Sequence, residues 1–118
     1  MIPASARPYE VNLEAGRPTS EEALRRLRGG IATCRNSGVK YMRVIHGYGS
    51  SGTGGSIRTA ARAYLADLRR QGRLRGFVPG ERFGSSDADS IALAAAHPSL
   101  KGFSDWNAGN PGISLLVI

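Results

Sequence analysis

The sequence has little cysteine and no long apolar stretch. Its single cysteine, Cys34, cannot form an internal disulfide and cannot build a thiolate metal site. No apolar run approaches the roughly 20 residues that a transmembrane helix needs, and residues 1–8 lack the apolar segment of a signal peptide. We therefore expect a cytoplasmic protein that makes no contact with a membrane.

Acidic residues are also scarce, and their scarcity is local. The chain has 16 Lys and Arg against 9 Asp and Glu, a net charge of +7. From Arg25 to Arg75 there are twelve basic residues and one acid, Asp67. Such a basic segment is typical of proteins that bind a phosphate backbone, although a solvated surface that keeps a protein soluble has the same charge pattern. Arginine is well suited to phosphate because its planar fork can bond two oxygens.

The spacing of apolar residues predicts alternating strands and helices. Thr19 followed by Glu22 is a capping box, which predicts a helix that ends near Ser37 and Gly38. Alternation predicts a strand over residues 9–13. The other predicted elements are a strand over residues 39–45, a helix capped by Ser56 that ends at Gly72, and strands over residues 74–78 and 112–118.

This order, β-α-β-α-β-insertion-β, predicts an α/β protein of the two-layer α+β sandwich kind. A four-stranded sheet would carry two main helices, and strand–helix–strand connections predict parallel strands. The 118 residues fit a single domain over residues 1–118. Within it, residues 1–8 are a predicted N-terminal tail. Residues 84–110 are a predicted polar insertion with a helical turn or two around residues 89–96.

A candidate phosphate site follows the second predicted strand. His46 ends that strand, and a glycine-rich loop leads from it into the second helix, where backbone N–H groups and the helix start favour phosphate. The loop is neither a Walker A loop nor a dinucleotide fingerprint, so we expect no cofactor. We also expect no metal, because there is one histidine here and no paired carboxylates. The candidate nucleic-acid-binding residues are Gly47, Tyr48, Gly49, Ser50, Gly52, Gly54, Arg58, Arg62 and Arg69.

These motifs resemble the Smr (small MutS-related) domain family over nearly the whole chain. Residues 44–49 read Val-Ile-His-Gly-Tyr-Gly, Ile57 and Arg58 open a helix, and residues 22–24 read Glu-Ala-Leu as in the family's first helix. The resemblance implies a fold similar to the C-terminal domain of a bacterial translation initiation factor. It also implies a role in binding or nicking DNA or in cleaving RNA.

The chain departs from the family pattern at three places. Residues 11–14 read Val-Asn-Leu-Glu where the family usually has Leu-Asp-Leu-His. Tyr48 stands where the family often has lysine, in a loop that is longer by a few residues. Residues 84–110 are also long for the family. The first departure removes the Asp and the His that the family carries for its chemistry, whereas the basic segment is intact.

The candidate catalytic residues are His46, Glu14 and Arg58. Cleavage of a phosphodiester without a metal needs a base, an acid and a group that stabilises the developing charge. His46 titrates in the useful range, and Arg58 could stabilise charge. Glu14 would replace the missing histidine as base, or orient His46, if the first two strands pair. Its alternative role is that of a solvated loop carboxylate.

Three functions therefore remain open. The first is binding of DNA or RNA mainly through phosphates, by an endonuclease fold whose chemistry is altered or lost. The second is an active, metal-independent endonuclease that uses His46. The third is a protein-interaction module in which residues 84–110 dock a partner. Trp106 stacks on a base or anchors the insertion, and the sequence leaves oligomeric state open.

Overall fold

The computed structural model describes residues 7–47 and 54–118. It confirms the predicted fold class, an α+β fold with a four-stranded sheet. In chain order the helices and strands are β1 (Tyr9–Asn12), α1 (Ser20–Ser37), β2 (Tyr41–Ile45), α2 (Gly54–Arg70), β3 (Gly76–Pro79), α3 (Ala88–Ala96) and β4 (Ile113–Val117). Two short 3₁₀ turns, Gly80–Arg82 and Pro98–Gly102, flank α3.

The strand order across the sheet is β1-β2-β4-β3. Strands β1 and β2 are parallel, as predicted. The last strand, β4, lies between β2 and β3 and is antiparallel to both. Consequently β1, β2 and β3 all end at the edge where β4 begins. Below, this edge is called the site edge, and the edge where β2 and β3 begin is called the opposite edge.

Helices α1 and α2 cover one face of the sheet. The Thr19 hydroxyl accepts the Glu22 N–H at 3.1 Å, which confirms the predicted cap, and Gly38 ends α1 in the left-handed conformation. Helix α2 begins at Gly54, two residues before the predicted cap at Ser56. Apolar residues of both helices are buried in one core that includes Leu27, Ile31, Cys34, Ile57, Ala61 and Leu65.

Gly30 allows α1 to lie close to the sheet. A Cβ atom at this position would come within 2.8 Å of the Met42 Cε atom and within 3.6 Å of Val11. A glycine that weakens the isolated helix therefore permits a close helix–strand contact in the fold.

The segment predicted as an insertion covers the second face of the sheet. A separate core joins Phe83, Leu100 and Phe103 to the other face of β2 and β4. Asp105, which is buried, binds the Arg43 guanidinium of β2 at 2.6 and 3.2 Å. With helices or turns on both faces, every residue of β4 is buried, and its nearly continuous apolar sequence is typical of a strand covered on both sides.

None of the helices in the described ranges is both long enough and apolar enough to span a membrane.

Candidate functional site

The end of β2 is tied to the beginning of β4 at the site edge. The N–H groups of His46 and Gly47 both donate to the Gly112 carbonyl, each at 3.0 Å. Gly47 has φ 71°, a left-handed conformation that favours glycine. The chain therefore turns sharply away from the sheet after His46, as the sequence predicts for the residue that follows the strand.

His46 is fully buried, and both of its ring nitrogens have partners. Nδ1 lies 2.7 Å from the Gly47 carbonyl oxygen, and Nε2 lies 2.9 Å from the Ser114 hydroxyl. A carbonyl can only accept, so the proton is on Nδ1 and Nε2 accepts the Ser114 hydroxyl proton. Both nitrogens of the neutral ring are thereby used within the protein.

The pKa of His46 is lowered from 6.5 to about 4, mainly by burial, and the positive charges of Arg62 and Arg58 act in the same direction. The Gly47 carbonyl opposes the shift, because it accepts a hydrogen bond from the protonated ring. His46 is therefore neutral at pH 7. The imidazole is neutral and buried, and both of its nitrogens are hydrogen-bonded within the protein. It therefore holds the end of β2 against β4 and is badly placed to exchange protons with a ligand.

Arg62 of α2 joins this cluster to Glu81. Its Nε donates to the Ser114 hydroxyl at 3.3 Å, and its two terminal nitrogens bind the Glu81 carboxylate at 2.8 and 2.6 Å. One terminal nitrogen also lies 3.2 Å from the Ile113 carbonyl oxygen. The Arg62 hydrogen bond lowers the pKa of Glu81 to about 2, so the carboxylate is ionised and the guanidinium is fixed in place.

Arg58 lies one helical turn before Arg62 and shares the same carboxylate. One of its terminal nitrogens is 3.1 Å from Glu81, and 31% of its side chain is exposed. Its Nε is buried and has no hydrogen-bond partner among the described residues. Two guanidinium groups on one carboxylate give this cluster a net charge of +1, and Arg58 is its more exposed cation.

Glu14 follows the end of β1, beside the end of β2. Strand pairing continues past β1, because Leu13 N–H donates to the Ile45 carbonyl at 2.8 Å. The Glu14 carboxylate lies against Gly47, in the space that a Cβ atom on residue 47 would occupy. It is exposed, and the His46 ring nitrogens bind other groups, so Glu14 contacts the backbone next to His46 and is not hydrogen-bonded to the ring.

The remaining predicted binding residues fall in three places. Tyr48, Gly49, Ser50 and Gly52 lie outside the described residues. Gly54 is the first residue of α2. Arg69 is eleven residues beyond Arg58 on α2, which corresponds to about 16 Å along the helix axis, so the structure does not bring it to the site edge.

Two residues of the cluster, Ser114 and Glu81, were not predicted from the sequence. Ser114 could have been found as the polar residue in the apolar run of residues 113–118, since a buried hydroxyl needs a partner. Glu81 follows β3 at the same edge as His46, and its role depends on a contact with α2 that local sequence does not encode. Among residues 7–47 and 54–118, no three His, Cys, Asp or Glu side chains are grouped so that they could hold a metal ion.

The side chains of Trp106, Cys34 and His97 lie away from this cluster. Trp106 packs edge-on against Phe83, with ring centroids 5.1 Å apart, and so anchors the 84–110 segment. Cys34 is fully buried in the core, and burial raises its thiol pKa. His97 caps the end of α3, and its ring packs edge-on against Tyr41.

Comparison with known proteins identifies the family of this fold. The family model described as the Smr domain matches residues 16–82, which include α1, β2, α2, β3 and Glu81. The crystal structure of the Smr domain of Thermus thermophilus MutS2 is similar in fold, with a TM-score of 0.53 and 22% sequence identity over 92% of this chain and 95% of that chain. None of the curated proteins compared with the chain matches it.

The chain therefore belongs to the Smr domain family. The family is a nucleic-acid-binding, nuclease-like class of domain.

Proposed function

We propose that this domain binds DNA or RNA mainly through backbone phosphates at the site edge. The observation that carries the proposal is the pair of guanidinium groups fixed by Glu81 within the first turns of α2. Glu81 neutralises one charge and leaves the other. Because Arg58 is the more exposed of the two, it is the side chain that would contact a phosphate, and Arg62 would hold Glu81 and Ser114 in place.

The charge distribution supports the same partner. A free phosphate or phosphodiester is attracted by the +7 net charge and by the N-terminal end of α2, which follows the glycine-rich segment. Base-specific readout requires side chains aimed at base edges, and the described residues of the site edge offer mainly a cation and backbone groups. We therefore expect contacts to phosphates, with little preference for the base sequence of the nucleic acid.

The test is a binding titration of a fluorescent single-stranded RNA and a branched DNA at several salt concentrations. We expect Arg58→Gln to weaken binding and to reduce the slope of log K against log salt by about 0.7 on single strands. The matched control is Lys101→Gln, which removes one charge from an exposed position on the turn that covers the other face of the sheet. Absence of binding by the wild-type domain, or equal effects of the two variants, would contradict the proposal.

A second candidate function is cleavage of RNA at the same edge. The observation that favours it is the exposed Glu14 carboxylate against Gly47. There it could take the proton from a 2′-hydroxyl as the 2′-oxygen bonds to phosphorus, while the bond from phosphorus to the 5′-oxygen breaks. Water would supply the proton for the departing 5′-oxygen, and Arg58 would stabilise the phosphorane charge. His46 would then be a positioning residue, because its nitrogens bind Gly47 and Ser114.

Cleavage of end-labelled RNA tests this second function. If Glu14 is the base, Glu14→Gln lowers the cleavage rate about 10²-fold or more while RNA binding is retained. A wild-type domain that binds RNA and leaves it intact, or a Glu14→Gln variant that cleaves at the wild-type rate, would exclude this role of Glu14.

A further inference from the structure

A second group of basic side chains lies at the opposite edge of the sheet. Helices α1 and α2 end there, β2 and β3 begin there, and β4 ends there. Six exposed cations lie on the segments that meet at this edge. One of them, Arg70, forms an ion pair with Asp67. The other five are together called here the helix-end surface: Arg35, Lys40, Arg69, Arg73 and Arg75.

Backbone contacts hold these segments together. Arg75 N–H donates to the Val117 carbonyl at 2.9 Å, and Ile118 N–H donates to the Lys40 carbonyl at 2.8 Å. Lys40 and Arg75 therefore flank the end of β4 from its two sides, with backbones about 10 Å apart. The Arg35 guanidinium donates to the Arg73 carbonyl, which joins the ends of the two helices.

The side chains line two neighbouring hollows. Arg35, Lys40 and Arg75 line a hollow of about 450 Å³ together with His97. Arg69 and Arg75 line a second one of about 530 Å³, which His97 also borders. Because Arg75 and His97 border both, the two hollows are neighbours, and four of the five cations line one or both of them.

The cations of the helix-end surface differ in their pairing from four arginines elsewhere in the domain. Arg43, Arg58, Arg62 and Arg82 all form ion pairs with carboxylates. Within residues 7–47 and 54–118, no such pair involves a member of the helix-end surface. Asp89 borders the second hollow, but its carboxylate binds Arg82.

Helix capping explains only part of this group. Arg35 and Arg69 lie in the last turns of their helices, where a cation is favoured by the helix dipole. Lys40, Arg73 and Arg75 lie beyond the helices, in the segments that lead into β2 and β3, so neither a helix end nor a carboxylate accounts for them.

We propose that the helix-end surface is a second contact for the phosphate backbone of the nucleic acid. This inference rests on the proposed function and adds a second place of contact to it. Arg58 and Arg69 are about 16 Å apart along α2, so one ligand that reaches both edges must span roughly five nucleotides at 3.4 Å per step.

The test uses the double variant Lys40→Gln/Arg75→Gln. Both side chains are exposed, and the hydrogen bonds that these residues make to β4 and Ile118 come from the backbone, so the fold is retained and an unchanged melting temperature verifies this. We expect the salt slope for a 20-nucleotide single strand to fall by about 1.4, or 0.7 for each lost contact. Lys40→Arg/Arg75→Lys keeps both charges and should keep the slope.

The matched control is Arg28→Gln/Lys101→Gln, which removes the same two charges from exposed positions outside both surfaces. If the test and control variants lower the slope equally, the helix-end surface is not a contact and the inference is wrong. In that case a loss of binding in Arg58→Gln would still support the site edge. A wild-type domain that binds no nucleic acid would overturn both proposals.

Discussion

Burial of His46 makes the stability of this domain depend on pH in a specific way. The ring has its ordinary pKa of 6.5 in the unfolded chain and a pKa of about 4 in the fold. Between these values the unfolded chain binds a proton that the native protein does not bind. Stability is therefore fully present above pH 6.5 and is lost as the pH falls toward 4. At 1.36 kcal/mol per unit of pKa, the loss from this one group is about 3 kcal/mol.

Urea unfolding at pH 7 and pH 4.5 measures this loss. Acid also acts on other groups of the protein, so the informative quantity is the difference between the wild type and His46→Gln. The variant removes the titrating ring while keeping a group that can reach Ser114. We expect the free energy of unfolding to fall more steeply with acid in the wild type, by about 2 to 3 kcal/mol. Equal pH dependence in the two proteins, or an NMR pKa near 6.5 for His46, would refute the reasoning.

Three further substitutions test the contacts that build the domain. Ser114→Ala leaves buried nitrogens without their partner and should lower the free energy of unfolding by about 1 to 3 kcal/mol, as measured by urea denaturation. Gly47→Ala should cost about 1 to 2 kcal/mol, because φ is 71° and the new Cβ meets the Glu14 carboxylate; an unchanged denaturation midpoint would contradict this. Asp105→Asn weakens the pairing of half-buried Arg43 and should cost about 2 kcal/mol, with faster amide exchange in the 98–110 segment.

Much of the fold could be predicted because its signals are local. The capping box at Thr19 and the glycine at position 38 encode the two ends of α1 within a few residues of each. The β-branched and aromatic residues within 39–45 and the glycine after His46 likewise encode where β2 ends. The family resemblance rests on the same local motifs, and the match over residues 16–82 confirms it.

The position of β4 was not predictable in the same way. Its place between β2 and β3 depends on pairing with a strand about seventy residues earlier and another about forty residues earlier, and no local signal specifies either register. The covering of the second face of the sheet also depends on contacts between residues that are far apart in sequence. Asp105 binds Arg43 across 62 residues of sequence, so the role of the 84–110 segment appears only in the fold.

In the candidate site too, the locally encoded residues were predictable and the long-range contacts were not. The sequence indicated His46, Glu14, Arg58 and Arg62 from their place at strand ends and at a helix start. It did not indicate that Glu81 and Ser114 would connect them, because those contacts span 19 and 52 residues. Nor did it indicate that both ring nitrogens of His46 would be bound by Gly47 and Ser114 in the buried cluster, and the catalytic role of His46 stays a prediction.

The most direct test of the central claim is an NMR titration of the isotope-labelled domain with single-stranded RNA at low salt. The proposal predicts amide shifts at Gly47, at Glu81 and in the first turns of α2 around Arg58, and these shifts should disappear as salt is raised. A second contact at the helix-end surface would add shifts around Lys40 and Arg75. Shifts confined to α3 and the 98–110 segment, or no shifts at any RNA concentration, would contradict it.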